Sequence, residues 1–138
     1  MATWIKPTEE NLKHEFKVEI ELKGNNFFQS YEQFKAQADK AEVVELTQDL
    51  DCKIAYRSRT SSKQQLINLI RGYRSYPQYR NEQTIENLFE RIANDETMTM
   101  PIVLKFKDGS MRVLGGNTRL DVAFQLGKTP KVLMIESL

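Results

Sequence analysis

The chain has 138 residues, 40% hydrophobic and 28% charged, which is the composition of one globular domain able to bury a core without disulfide or metal. Its single cysteine, Cys52, and single histidine, His14, rule out an internal disulfide and a Cys/His zinc cluster. The net charge of +1 hides an uneven spread: residues 1–50 carry ten acids and six bases, residues 51–81 carry seven bases and only Asp51, and residues 82–138 carry eight acids and seven bases.

Met1 to Pro7 contains no apolar h-region, and the apolar runs elsewhere are short. The expectation is a cytoplasmic protein that does not enter a membrane. Thr8-Glu9-Glu10-Asn11 reads as the cap and first turn of a short helix. From Phe16 the pattern alternates, with Phe16, Val18, Ile20 and Leu22 apolar and Lys17, Glu19 and Glu21 charged, which predicts a half-buried strand. Gly24-Asn25-Asn26 supplies the turn that ends it. Ser30 and Gln33 have the spacing of a capping box, so a helix is expected to about Ala41. Residues 1–42 are thus an N-terminal extension of helix, strand and helix.

Val43 to Leu46 reads as a short strand, and Ser61-Ser62 precede a helix with Leu66, Leu69 and Ile70 on one face. Asn81 to Asp95 is the clearest helix, because Ile85, Leu88, Phe89 and Ile92 follow the i, i+3, i+4, i+7 spacing. Pro101 to Phe106 and Met111 to Leu114 predict a hairpin around Asp108-Gly109. Gly115-Gly116 breaks the return strand, a helix runs from Thr118 to Leu126, and a last strand spans Lys131 to Ile135. The fold class is α+β (α/β-like): one compact domain over residues 1–138, with a mixed sheet and packed helices.

Two features carry chemistry. Paired glycines before a helix let the backbone approach a ligand closely, and the first helical N–H groups there have no intrahelical partner. Phosphate suits such a place, so Gly115, Gly116, Asn117, Thr118 and Arg119 are candidate phosphate- or nucleotide-binding residues. Turns of this kind also occur for packing alone. The second feature is the basic middle of the chain, where Arg57, Arg59, Arg71, Tyr73, Arg74, Tyr76 and Arg80 interleave phosphate-neutralising and base-stacking groups. The alternatives are tyrosines packed in the core with arginines paired to the acidic first third, and a surface for a protein partner.

Three stretches resemble the core of the ParB/sulfiredoxin superfamily: Pro101-Ile102-Val103-Leu104, Arg112 to Ala123 around Gly115-Gly116-Asn117-Thr118-Arg119, and Thr129 to Ile135. Val44-Glu45-Leu46 and Gln65 to Gly72 are similar to that family's opening strand and helix, so the resemblance covers residues 43–136 with an insertion at about 72–100. It implies the family's fold, a nucleotide- or nucleic-acid-binding function, and nuclease or nucleotide-hydrolase activity using Mg2+ and a nucleoside triphosphate. Glu45 and Asp121 are the candidate catalytic carboxylates or metal ligands; read from the residues alone, Glu45 is a solvent-facing strand residue and Asp121 a first-turn acid complementing the helix dipole. Arg57 and Arg59 fall near a family position where arginine meets nucleotide phosphate.

The box departs from the family's patterns. Asn117 stands where sulfiredoxins have their catalytic cysteine and Thr118 where they have histidine. Asn117 and Thr118 also replace the Glu and first Arg of the ParB box. Sulfinic-acid reduction is therefore not expected, and ParB-type nucleotide switching is weakened. These losses favour a second reading, a non-enzymatic regulator that binds a host or partner protein, as phage-encoded takeover and anti-defence factors do. A small-metabolite kinase with Glu45 as base is a third.

Overall fold

A computed structural model of the protein describes residues 3–56, 58–72 and 82–138. β1 (Trp4–Ile5) leads to α1 (Glu9–Glu15), whose N-terminus is closed by a reciprocal cap: the Thr8 N–H donates to Asn11 Oδ1 at 3.0 Å and the Asn11 N–H to Thr8 Oγ1 at 3.1 Å.

The segment expected to be a strand is helical. Phe16–Glu21 continues α1 as a π-helical stretch, with the Leu22 N–H reaching Lys17 O and the Asn25 N–H reaching Ile20 O, each five residues back. Leu12, Phe16 and Ile20 recur every fourth residue and are all buried, whereas Leu22 is 71% exposed. Burial of one helical stripe overrides the two-residue alternation.

α2 (Tyr31–Asp39) begins at Ser30, whose Oγ accepts from the Gln33 N–H at 3.2 Å. Gln33 reaches back to the N–H of Gln29 at 2.8 Å, one residue beyond the expected capping-box partner. Then come β2 (Glu42–Glu45), α3 (Gln48–Asp51), β3 (Ile54–Ala55), α4 (Lys63–Gly72), α5 (Glu82–Ala93), β4 (Met98–Thr99), β5 (Ile102–Lys105), β6 (Met111–Gly115), α6 (Asn117–Gln125) and β7 (Lys131–Glu136). The hairpin, the glycine break and the final strand fall where the sequence pattern puts them. β1, α3, β3 and β4, at two to four residues each, are too short to show a period.

Five strands form a mixed sheet in the order β2-β7-β5-β6-β3, and β1 pairs with β4 in a separate parallel pair. β5 lies parallel to β7 and antiparallel to β6. Successive side chains of these strands face opposite sides. Ile102, Leu104, Leu114, Leu133 and Ile135 meet Leu12, Phe16, Ile20, Phe28 and Phe34 of the N-terminal layer. Val103, Val132 and Met134 meet Leu46, Ile54 and Leu120 on the other side. A third cluster joins α4, α5 and α6 to Trp4, Met98 and Met100. The result is one α+β domain in which the N-terminal helices cover the sheet face that carries Ile102, Leu104, Leu114, Leu133 and Ile135.

Candidate functional site

β6 ends at Gly115, and Gly116 turns the chain into α6 with φ +92°, a left-handed conformation that glycine adopts at least cost. Both glycines are also packed. A Cβ on Gly116 would lie 2.6 Å from the Cβ and 2.9 Å from the Cα of Pro101, and 2.7 Å from Nη2 of Arg119. A Cβ on Gly115 would collide with the carboxylate of Glu15, whose Cδ would be 2.6 Å away.

The turn therefore has two sides. On one, Glu15 from the end of α1 lies against Gly115, and Arg119 lines the same small cleft with His14 and Asn11. Burial raises the Glu15 pKa above 4.5; the nearby Arg119 guanidinium opposes the rise without cancelling it. On the other side lies a cavity of about 180 Å3. Its floor is the end of β6 and the turn, Val113 to Asn117, and its wall comes from the N-terminal layer: Glu19, Lys23, Asn25 and Phe27. Lys23 Nζ pairs with Glu19 Oε2 at 2.6 Å, and Asn25 Nδ2 donates to the Glu19 carbonyl at 2.6 Å. Arg112 projects from β6 toward the same wall, 5.7 Å from the Phe27 ring centroid.

The five phosphate-site candidates are thus divided. Gly115, Gly116 and Asn117 line the cavity, while Arg119 serves the Glu15 side and Thr118 borders neither. The Asn117 side-chain amide donates to the Ser58 carbonyl at 2.9 Å, tying the turn to the loop after β3.

That loop holds the second candidate group. Asp121 is buried at 5% exposure and accepts from the Thr60 N–H at 3.1 Å and from the Thr60 hydroxyl. Gln125 Nε2 donates to Thr60 Oγ1 at 2.7 Å. Asp121 therefore anchors the loop to α6; it does not line the cavity at the turn, and instead lines a separate cavity of about 260 Å3 with Tyr56, Arg59, Thr60 and Gln125. Glu45 is exposed at the end of β2, and three inter-strand spacings, roughly 14 Å, separate β2 from β6. Neither proposed catalytic carboxylate meets the glycine turn; Glu19 is the carboxylate at the cavity.

Arg59 is engaged by the molecule although its side chain stays 41% exposed. Its Nη1 pairs with Asp51 Oδ2 at 2.8 Å, its Nη2 donates to the carbonyls of Asp51 and Ile54, and its guanidinium lies 3.6 Å from the Tyr56 ring centroid. Tyr56 donates its hydroxyl to Asp51. Burial, with that carboxylate, pushes the phenol pKa far up. This network engages one of the seven basic-surface candidates with Asp51, the one acid of the basic middle, and not with the acidic first third. Arg57, Tyr73, Arg74, Tyr76 and Arg80 lie outside the described residues, and Arg71 is described only as backbone in the last turn of α4.

Among the described residues no three His, Cys, Asp or Glu side chains converge as a metal site. Glu19 alone, engaged by Lys23, makes no cage for Mg2+; a divalent ion here would have to arrive with a ligand's phosphates, as Mg2+ does where carboxylates are few. No helix among the described residues is long and apolar enough to cross a membrane. No protein-family model, curated protein or solved structure matches the chain.

Proposed function

We propose that this protein binds a phosphate-bearing ligand of the nucleotide or nucleic-acid class in the cavity beside Gly115-Gly116. One observation carries the reading: the turn expected from sequence to cradle phosphate borders a cavity that also receives two cations, Lys23 and Arg112, from separate parts of the chain. The likeness of residues 43–136 to the ParB/sulfiredoxin core, carried in part by the same glycine turn, agrees with it. The cation assigned to the ligand changes from Arg119 to Arg112, because Arg119 serves the Glu15 side of the turn.

The test is thermal stabilisation by ATP, CTP, GTP, ADP and a short single-stranded oligonucleotide, each with and without Mg2+. A ligand at 100 times its dissociation constant adds about 2.7 kcal/mol of stability. The expected result is stabilisation by at least one of them, lost in Arg112→Ala. No stabilisation by any ligand overturns the reading.

The placement of Asp121 and Glu45 favours binding over hydrolysis, and so keeps the non-enzymatic regulator as a second reading. That reading expects no nucleotide or DNA turnover at any Mg2+ concentration. Turnover that disappears in Glu19→Gln while binding persists would eliminate it.

A further inference from the structure

We infer that the cavity recognises a phosphate end, a phosphomonoester, in preference to the bridging phosphodiester of a continuous strand. The inference rests on the cavity being a phosphate site at all. Size is the first argument. At about 180 Å3 the cavity is smaller than the roughly 300–1,000 Å3 of pockets that enclose whole small-molecule ligands. It is floored by the buried end of β6 and walled by the Lys23 to Phe27 segment, so it admits a terminal group and leaves the rest of the ligand outside.

Charge is the second argument. Glu19, Lys23 and Arg112 together give the cavity a net charge of +1, and Lys23 already holds a carboxylate at 2.6 Å. A phosphodiester carries one negative charge, no more than Glu19 already offers Lys23. A phosphomonoester carries about −1.5 to −2 at neutral pH and presents three acceptor oxygens. It can draw Lys23 from Glu19 and still offer Arg112 a two-oxygen edge. Among the described residues Arg112 makes no ion pair within 4.0 Å, and the Phe27 ring beside it favours a guanidinium with its fork left open.

Three of the groups that shape this selectivity, Glu19, Lys23 and Asn25, come from the N-terminal layer, outside the stretch that resembles the ParB/sulfiredoxin core. End recognition is thus a property that this chain adds to its glycine turn.

The experiment titrates the full chain with one oligonucleotide in two forms, 5′-phosphorylated and 5′-hydroxyl, and with the matching nucleoside monophosphate and inorganic phosphate. The phosphorylated form should bind at least tenfold tighter than the hydroxyl form. That preference should vanish in Arg112→Ala, shrink in Lys23→Ala, and weaken as pH falls through about 6, where the monoester gains a proton. Both side chains are exposed, so both variants should fold, and circular dichroism checks this. Equal binding of nucleoside monophosphate and phosphorylated oligonucleotide identifies a small phosphomonoester as the ligand; tighter oligonucleotide binding identifies a strand end. Equal binding of the two oligonucleotide forms overturns end recognition while leaving phosphate binding intact, and no binding by any of them overturns both.

Discussion

Gly109 and Gly116 form a matched pair, because their φ values are +89° and +92° while their surroundings differ. A Cβ on Gly109 meets nothing within 4 Å; a Cβ on Gly116 meets Pro101, a buried residue, at 2.6 Å, with its backbone Cα at 2.9 Å. Alanine at either position adopts a left-handed conformation at a cost of about 1–2 kcal/mol, and both gain the same relief from a stiffer unfolded chain. Only Gly116→Ala also forces a displacement in packed surroundings, worth roughly 1–3 kcal/mol more. For a domain of this size that difference corresponds to a further fall in melting temperature of about 3–10 °C. Thermal denaturation of the two variants, followed by circular dichroism, measures it directly. Equal melting temperatures would mean that Gly116 is not packed on Pro101 and that the turn sits differently.

Two further outcomes probe the N-terminal layer. Ile20→Ala should cost about 2–5 kcal/mol in urea denaturation because Ile20 is 2% exposed, whereas Leu22→Ala should stay within about 0.5 kcal/mol; comparable losses would restore the strand reading. Glu15 has a raised pKa in the folded state, so the protonated form is favoured there: its contribution is fully present below 4.5 and is lost as pH rises through the raised value. Glu15→Gln should therefore flatten the decline of stability with pH above 4.5, and an unchanged pH profile would show that burial does not perturb this carboxyl.

The hairpin and glycine break were legible because Gly109 and Gly116 take left-handed backbone conformations that glycine adopts at least cost. The Phe16–Glu21 stretch was not, because Phe16, Val18, Ile20 and Leu22 satisfy a two-residue period while Leu12, Phe16 and Ile20 satisfy a four-residue one. Packing of Phe16 against Tyr31 and Phe34 decides between them, and those contacts are long-range. The same misreading concealed part of the site. Read as a strand, Glu19 points to solvent; read as a helix, it pairs with Lys23 four residues on and faces the cavity. Arg112 carries no local mark at all, since only the fold brings β6 to Phe27. Asp121 looked reactive because carboxylates near a phosphate loop often are, and its partner Thr60 lies 61 residues away.

The sheet order has a consequence for how the molecule is made. β7, the last of its strands to be synthesised, sits between β2 and β5, and β1 waits for β4 some ninety residues downstream. Until β7 emerges, Phe16, Ile20 and Phe34 have only part of the surface they will cover. A nascent chain thus exposes part of the apolar face of its N-terminal helices until β7 is available to complete the surface they cover. Such distant pairings slow folding and leave apolar surface open to association, so holdase chaperones should bind stalled chains that lack residues 131–136 more than chains that include them.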